Sequence, residues 1–231
     1  MPTTQRLSAL AEEQWGLVTR RQAQSASVSP ATITRLTRNG VLDRVAHGVY
    51  RLAGAPPADH LDLRAAWLQL APATPAWART AAQGVVSHRS AGALYGIGHL
   101  PADRHEFTTP DRRQSRRSDV RLHVGQLDDA EWITLRGLPV TRPSRIAADL
   151  LNDREDPGAI AHLVADALRG VYDYPSTIAA ALAPHAGQLG LRRNDGAATL
   201  RWLLDLVGDP ETPRWLAEAA DGREASVASN Q

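Results

Sequence analysis

The sequence predicts an α+β protein: an N-terminal winged helix-turn-helix, then a mixed domain with a small antiparallel sheet and several helices. Three observations carry that prediction. Three short helical segments with start and stop signals fill residues 5–38, and a two-armed stretch, Leu42 to Leu52, follows at once around His47-Gly48. Pro56-Pro57 then breaks the chain before a long region whose second half is rich in Ala and in helix starts.

Each element has a local reason. Leu7, Leu10, Ala11, Gln14 and Trp15 recur at helical spacing, so residues 5–15 read as a helix that Gly16 stops. Thr19 and Gln22 fit a capping box, a hydroxyl at the cap with an amide three residues on, and predict a short helix over 20–26. Ser29-Pro30 places a hydroxyl cap before a proline whose missing N–H costs nothing at the first helical position. That third helix runs from Pro30 to about Arg38 and ends at Asn39-Gly40, residues that tolerate positive φ. Leu42–Val45 and Val49–Leu52 then form two strands around Ala46-His47-Gly48. Residues 1–55 are therefore expected to be one module, with Ala53–Asp59 as its exit.

Residues 60–231 form the second module. Helices are predicted at His60–Leu70 and His88–Gly96, with Ser87 as the N-cap of the latter. Strands are predicted in "RHEFTTPD", "DVRLHVGQL", "EWITLRG" and "LPVTR", the last two joined around Gly137. From about residue 143 the chain is helical, over Pro143–Asn152, Pro157–Arg169, Tyr174–His185, Asp195–Val207 and Pro213–Ala220, with fraying from Asp221.

The 231 residues carry a net charge of only +1, so bulk charge does not argue for a polyanionic partner. Its distribution does. Residues 1–55 hold seven Arg against three carboxylates, and the remainder is mildly acidic. All 26 basic residues are Arg. Cysteine is absent, which excludes disulfides and thiolate metal sites and fits a reducing cytoplasm. No leader-like stretch is present and no run approaches the ~20 apolar residues that span a bilayer. A cytoplasmic protein without a membrane partner is expected.

On the third helix, Ile33, Leu36 and Gly40 share one side, and Ala31, Thr34, Arg35 and Arg38 the other. A small residue, a hydroxyl and two cations suit the major groove, where Arg chelates guanine and Ala permits close approach. Arg20 and Arg21 open the preceding helix, which in this geometry runs against the sugar-phosphate backbone. Arg44, His47 and Arg51 are candidate phosphate or minor-groove contacts from a wing, with Tyr50 half-buried behind them. The plain alternative is that these arginines are solvated and His47 is a turn residue beside Gly48. The run "DRRQSRRSDVR" adds Arg112, Arg113, Arg116, Arg117 and Arg121 between two predicted strands. It reads either as a solvated loop, as a second nucleic-acid contact to RNA or operator phosphates, or as a dock for an acidic partner.

No enzymatic pattern stands out. A metal-dependent nuclease needs clustered carboxylates and usually a Lys, and the chain has no Lys. Asp149, Asp153, Glu155 and Asp156 surround a helix end, where they read as caps and solvated charges. His88, His99, His105 and His123 do not fall at ligand spacing, so no metal or other cofactor is expected. A nucleic-acid-processing enzyme and a free-standing regulator with a ligand-sensing second domain are the competing readings.

The segment "GLVTRRQAQSASVSPATITRLTRNGVLDRVAHGVYRLAG" resembles the N-terminal domain of the AbiEi antitoxins. The shared features are G-x-V-T-R at Gly16–Arg20, the helix stop at Asn39-Gly40, and Leu42-x-Arg44-Val45-x-x-Gly48-Val49-Tyr50. "VSHRSAGALYGI" (Val86–Ile97) and "GLPVTRPSRIAADLL" (Gly137–Leu151) resemble the associated second domain. The resemblance implies a transcriptional repressor of a viral-defence toxin–antitoxin pair that binds inverted repeats in its own promoter as double-stranded DNA. It also implies a nucleotidyltransferase-like toxin as partner, with the second domain serving antitoxicity.

Overall fold

The computed structural model of the chain describes residues 2–228. It opens with α1 (Thr3–Glu12), which buries Leu7 and Ala11. This helix stops short of the expected Trp15 because Trp15 and Gly16 both take left-handed φ, 59° and 74°. Three residues expected only as a connection, Leu17–Thr19, are a strand, β1. The capping box then forms as predicted: Thr19 Oγ1 accepts from the Gln22 N–H at 3.1 Å and Gln22 Oε1 accepts from the Thr19 N–H at 2.9 Å. It starts α2 (Arg20–Ser25). Ser29 caps α3 (Pro30–Arg38) through the Thr32 N–H at 3.1 Å.

β2 (Leu42–Ala46) and β3 (Val49–Leu52) follow, and β1 adds to the free side of β3. The expected two-stranded ribbon is thus a three-stranded antiparallel sheet in the order β1-β3-β2. Side chains alternate across a strand, so this sheet has two distinct faces. One carries Val18, Leu42, Tyr50 and Leu52 and packs against Leu7, Ile33 and Leu36 of the helices. The other carries Leu17 and Val49, both fully buried in the larger core that continues into the second region.

The element that covers this second face is α4 (Leu61–Leu70). Trp67 of α4 is buried, donates its indole N–H to the Gly84 carbonyl at 2.7 Å, and meets Trp15 edge-on at 6.1 Å. Arg79 lies over the Trp67 ring at 4.3 Å and donates to the carbonyls of Leu68 and Ala71, each at 2.7 Å, closing the C-terminal end of α4. Its burial pushes the guanidinium down to about 10.

The expected small antiparallel sheet of the second region is instead a mixed five-stranded one. Its strands are β4 (Val85–Val86), β5 (His105–Thr109), β6 (Val120–Val124), β7 (Trp132–Leu135) and β8 (Leu138–Thr141), in the order β6-β5-β4-β8-β7. The β4–β5 and β7–β8 pairs are antiparallel, whereas β5–β6 and β4–β8 are parallel. The two-residue β4 lies at the centre, too short to show alternation in the sequence, and its place makes the sheet mixed. The β7–β8 hairpin turns at Arg136-Gly137 as predicted, with φ of 51° and 81°.

Behind the sheet lie α5 (His88–Tyr95), α6 (Pro143–Asn152) and α7 (Pro157–Arg169), all close to their predicted bounds. α8 (Pro175–Leu182) ends early and continues as a 3-10 turn over Ala183–Leu189, where Pro184 interrupts the α-helical bonding. α9 (Gly196–Leu206) is capped by Asp195. α10 (Thr212–Ala228) runs on past Asp221, where fraying was expected. Residues 229–231 of that expectation lie outside the described residues. Small side chains allow the helices to approach closely: a Cβ on Gly196 would sit 1.9 Å from the Ala179 carbonyl oxygen of α8. Gly196→Ala is therefore expected to destabilise the protein by at least ~1–3 kcal/mol, read as a lower urea midpoint at unchanged m-value. No described helix is long and apolar enough to cross a membrane.

Candidate nucleic-acid interface

The outer face of α3 is open. Ile33 and Leu36 are buried, whereas Ala31, Thr34, Arg35 and Arg38 are exposed, the division read from the sequence, except that Gly40, expected on the packed side, is exposed beyond the end of α3. Neither Arg35 nor Arg38 has a side-chain partner among the described residues. Thr34 is less available, because its hydroxyl donates to the Pro30 carbonyl at 3.0 Å. Arg20 and Arg21 are exposed at the start of α2. The backbone N–H of Arg20 donates to the Gly48 carbonyl at 2.7 Å, which brings the β2–β3 turn beside the N-terminus of α2.

The two arginines of the hairpin do not act together. Arg44 pairs across the ladder with Tyr50, and Arg51 with Asp43 and Leu17, so neighbouring positions send them to opposite faces of the sheet. Arg44 is exposed and lies 3.2 Å from His47 Nδ1 at the turn. Arg51 donates instead to the carbonyls of Ala55 and, at 2.9 Å, Pro56. Its expected place on a DNA-facing ribbon gives way to a role in pinning the exit loop.

The arginine-rich loop also divides. Arg112, Arg113 and Arg116 are exposed, and Arg113 donates only at 3.3 Å to the Ala82 carbonyl. Arg117 is committed to Asp119 and to Gln69 Oε1. That ion pair drives the Asp119 carboxyl down to about 2. Arg121 leaves the patch: it lies on the edge strand β6 and reaches 3.0 Å from Asp153, just after α6. The expected five-arginine patch is thus three arginines, one tether and one outlier.

Gln69 of α4, which no sequence motif marked, joins the two basic regions. Its Nε2 donates to the His47 carbonyl at 2.7 Å while its Oε1 accepts from Arg117. A chain of bonds therefore runs from Arg20 through Gly48, His47 and Gln69 to Arg117. It ties Arg117, and with it the end of the arginine-rich loop, to the β2–β3 turn, while Arg20, Arg44, Arg112, Arg113 and Arg116 each add exposed basic surface. Such a surface suits a phosphate track, because guanidinium forks bind phosphate and release counterions.

Asp149, Asp153, Glu155 and Asp156 are mostly engaged rather than solvated. Asp156 caps α7 through the Ala159 N–H as expected, while Asp149 pairs with Arg145, Asp153 with Arg121 and Glu155 with Arg89. Ser87 sits at the N-cap position of α5, yet the carboxylate of Glu106 supplies the bond, accepting the Arg89 N–H at 3.0 Å.

A comparison with curated proteins finds no match to the chain. The resemblance of Val86–Ile97 and Gly137–Leu151 to a second domain lies outside the residues that the family model below matches. Residues 5–53, the three helices and three strands that carry Arg20, Arg35 and Arg44, match the family model described as "Transcriptional regulator, AbiEi antitoxin".

Proposed function

We propose that this chain is a non-enzymatic transcriptional repressor whose N-terminal unit is a winged helix-turn-helix. In this reading α3 enters the major groove, α2 abuts the backbone, and the β2–β3 turn is the wing. The observation that carries the reading is the exposed face of Arg35 and Arg38, which have no side-chain partner among the described residues. It lies on the same segment as the exposed Arg20 and Arg44, a segment similar to AbiEi antitoxin regulators. The family description supports an antitoxin that regulates transcription; our reading extends this to an autoregulating antitoxin with an inverted-repeat operator and a nucleotidyltransferase-like toxin, acting in phage defence in the cytoplasm. The second region would then serve the toxin-facing role, and its loop arginines would extend the phosphate track.

Salt titration tests the track. The DNA is a duplex enriched by the protein from a random pool, and affinity is measured across monovalent salt. Arg44→Ala is expected to flatten the plot of log affinity against log salt by about 0.9, the equivalent of one neutralised phosphate. The triple change Arg112→Ala, Arg113→Ala, Arg116→Ala is expected to flatten it further, by up to about 0.9 for each phosphate these side chains neutralise. Arg51→Ala is expected to leave the slope unchanged and to lower the melting temperature. A slope unmoved by either of the first two variants would overturn the track.

A further inference from the structure

Four of the chain's six tryptophans line one pocket. Trp15 follows α1, Trp67 lies on α4, Trp77 on a 3-10 turn over Ala76–Ala78, and Trp132 opens β7. The pocket has a volume of about 330 Å³, at the small end of ligand sites. It has room for one planar ring system rather than for a packed chain segment.

Core packing accounts for two of the four rings. Trp67 is buried, and Trp15 meets it edge-on at 6.1 Å. It does not account for the others. Trp77 is 52% exposed, although an indole is among the largest apolar bodies a side chain can bury. The Trp132 indole N–H is buried without an acceptor among the described residues, whereas such donors are normally paired.

The charges around the pocket select the ligand. Arg79 on its lining spends its N–H groups on the carbonyls of Trp67, Leu68, Ala71 and Thr74. It therefore acts there as a fixed positive charge, and no carboxylate pairs with it among the described residues. Glu13, exposed past the end of α1, is the one acid on the described lining. A cationic guest, the usual occupant of an aromatic cage, would be repelled by this guanidinium. The lining at Ala81 continues into Ala82, whose carbonyl accepts from Arg113 at 3.3 Å. Residues 111–116 beside it carry three exposed arginines against the single carboxylate of Asp111. An aromatic recess thus adjoins a strip suited to phosphate.

We infer that the tryptophan pocket takes one unpaired base of a single-stranded nucleic acid, whose flanking phosphates meet Arg112, Arg113 and Arg116. Single-strand sites are built from these two parts, an aromatic face on which a base stacks and a basic groove for the backbone. A base inside a duplex is covered on both faces, so only a splayed one can enter. The inference goes beyond the repressor reading: it shares the loop arginines with that reading but none of the tryptophans.

The test measures binding of end-labelled oligouridine and oligothymidine of about 12 nucleotides to the full chain by anisotropy, with the enriched duplex as comparison. Binding of a single strand with quenching of tryptophan fluorescence is expected, and the tighter oligomer names RNA or DNA as the source. Trp77→Ala is expected to weaken single-strand binding ~5- to 150-fold, as for loss of one stacked base, and Trp77→Phe to weaken it less. Both are expected to leave duplex binding unchanged, so failure of the pocket does not count against the repressor. The triple change Arg112→Ala, Arg113→Ala, Arg116→Ala is expected to flatten the salt dependence of single-strand binding by up to about 0.7 for each phosphate lost. Trp77 is largely exposed and its variants are expected to fold, which circular dichroism checks. Trp132→Phe, which removes the N–H and keeps a ring, is a second probe expected to weaken single-strand binding. Failure of both oligomers to bind the wild-type chain would overturn the site, as would wild-type affinity in folded Trp77→Ala or an equal loss of single strand and duplex. Quenching by a proline-rich peptide and by neither oligomer would also overturn it and assign the pocket to a protein partner.

Discussion

A fragment ending at Ala55 is expected to lack a cooperative unfolding transition, although the Pro56-Pro57 break suggests a module that binds DNA unaided. The reason is the second face of the N-terminal sheet. Leu17 and Val49 are fully buried, and their neighbours include α4 and residues beyond it. Exposing two such side chains costs about 1.5–3 kcal/mol each. A unit of this size is already marginal, because small domains bury a modest share of their surface. The cut also severs polar ties across the seam. Gln22 Nε2 donates to the Thr74 carbonyl at 3.1 Å, and Gln14 Oε1 accepts from the Ala76 N–H at 3.2 Å. Both glutamines are buried in the full chain, so the cut removes bonds that fix their side chains and hold the first sheet against the residues after α4. Urea denaturation followed by circular dichroism checks this. A sigmoidal transition in the 1–55 fragment with the midpoint of the full chain would restore the independent module.

Arg35→Ala or Arg38→Ala is expected to reduce the ratio of specific to random DNA binding by ~5- to 150-fold, the equivalent of removing a bidentate Arg–guanine pair at ~1–3 kcal/mol. Arg20→Ala is expected to weaken both kinds of binding together, since phosphate contacts carry no sequence information directly. The difference in role follows from placement. Arg35 and Arg38 project from the exposed side of α3, opposite Ile33 and Leu36, while Arg20 sits at the first turn of α2 against the Gly48 carbonyl. All three are surface residues, and substitutions there usually change stability by less than ~0.5 kcal/mol, so binding changes will not be masked by unfolding. Competition titrations of enriched against scrambled duplex at fixed salt decide the matter. Equal proportional losses in all three variants would remove α3 as the reader and point to recognition through DNA shape.

Most local structure was legible because it is set by short-range chemistry. The Thr19–Gln22 box, the Ser29-Pro30 start, the Asn39-Gly40 stop and the Gly137 turn all depend on residues within a few positions of one another. So does the split of α3 into a buried and an exposed face, which follows from helical period alone. Helix ends were less legible where backbone conformation overrode periodicity: Trp15 is apolar and in phase with α1, yet its left-handed φ turns it out of the helix and onto Trp67.

What the amino-acid sequence determined by itself is the main helices and the longer strands, the basic bias of the first 55 residues, and the arginines that α3 displays. Only the tertiary structure decided how those elements share surfaces. Strand partners lie far apart in the chain and are chosen by packing, so neither the central place of β4 nor the third strand of the N-terminal sheet had a local signature. Register, not composition, sent Arg44 and Arg51 to opposite faces, because one step along a strand reverses the side-chain direction. The Gln69 bridge, the stacked His88 and His123 rings and the tryptophan pocket are likewise long-range: each is made when separate segments arrive at one place, an outcome that spacing along the chain does not encode.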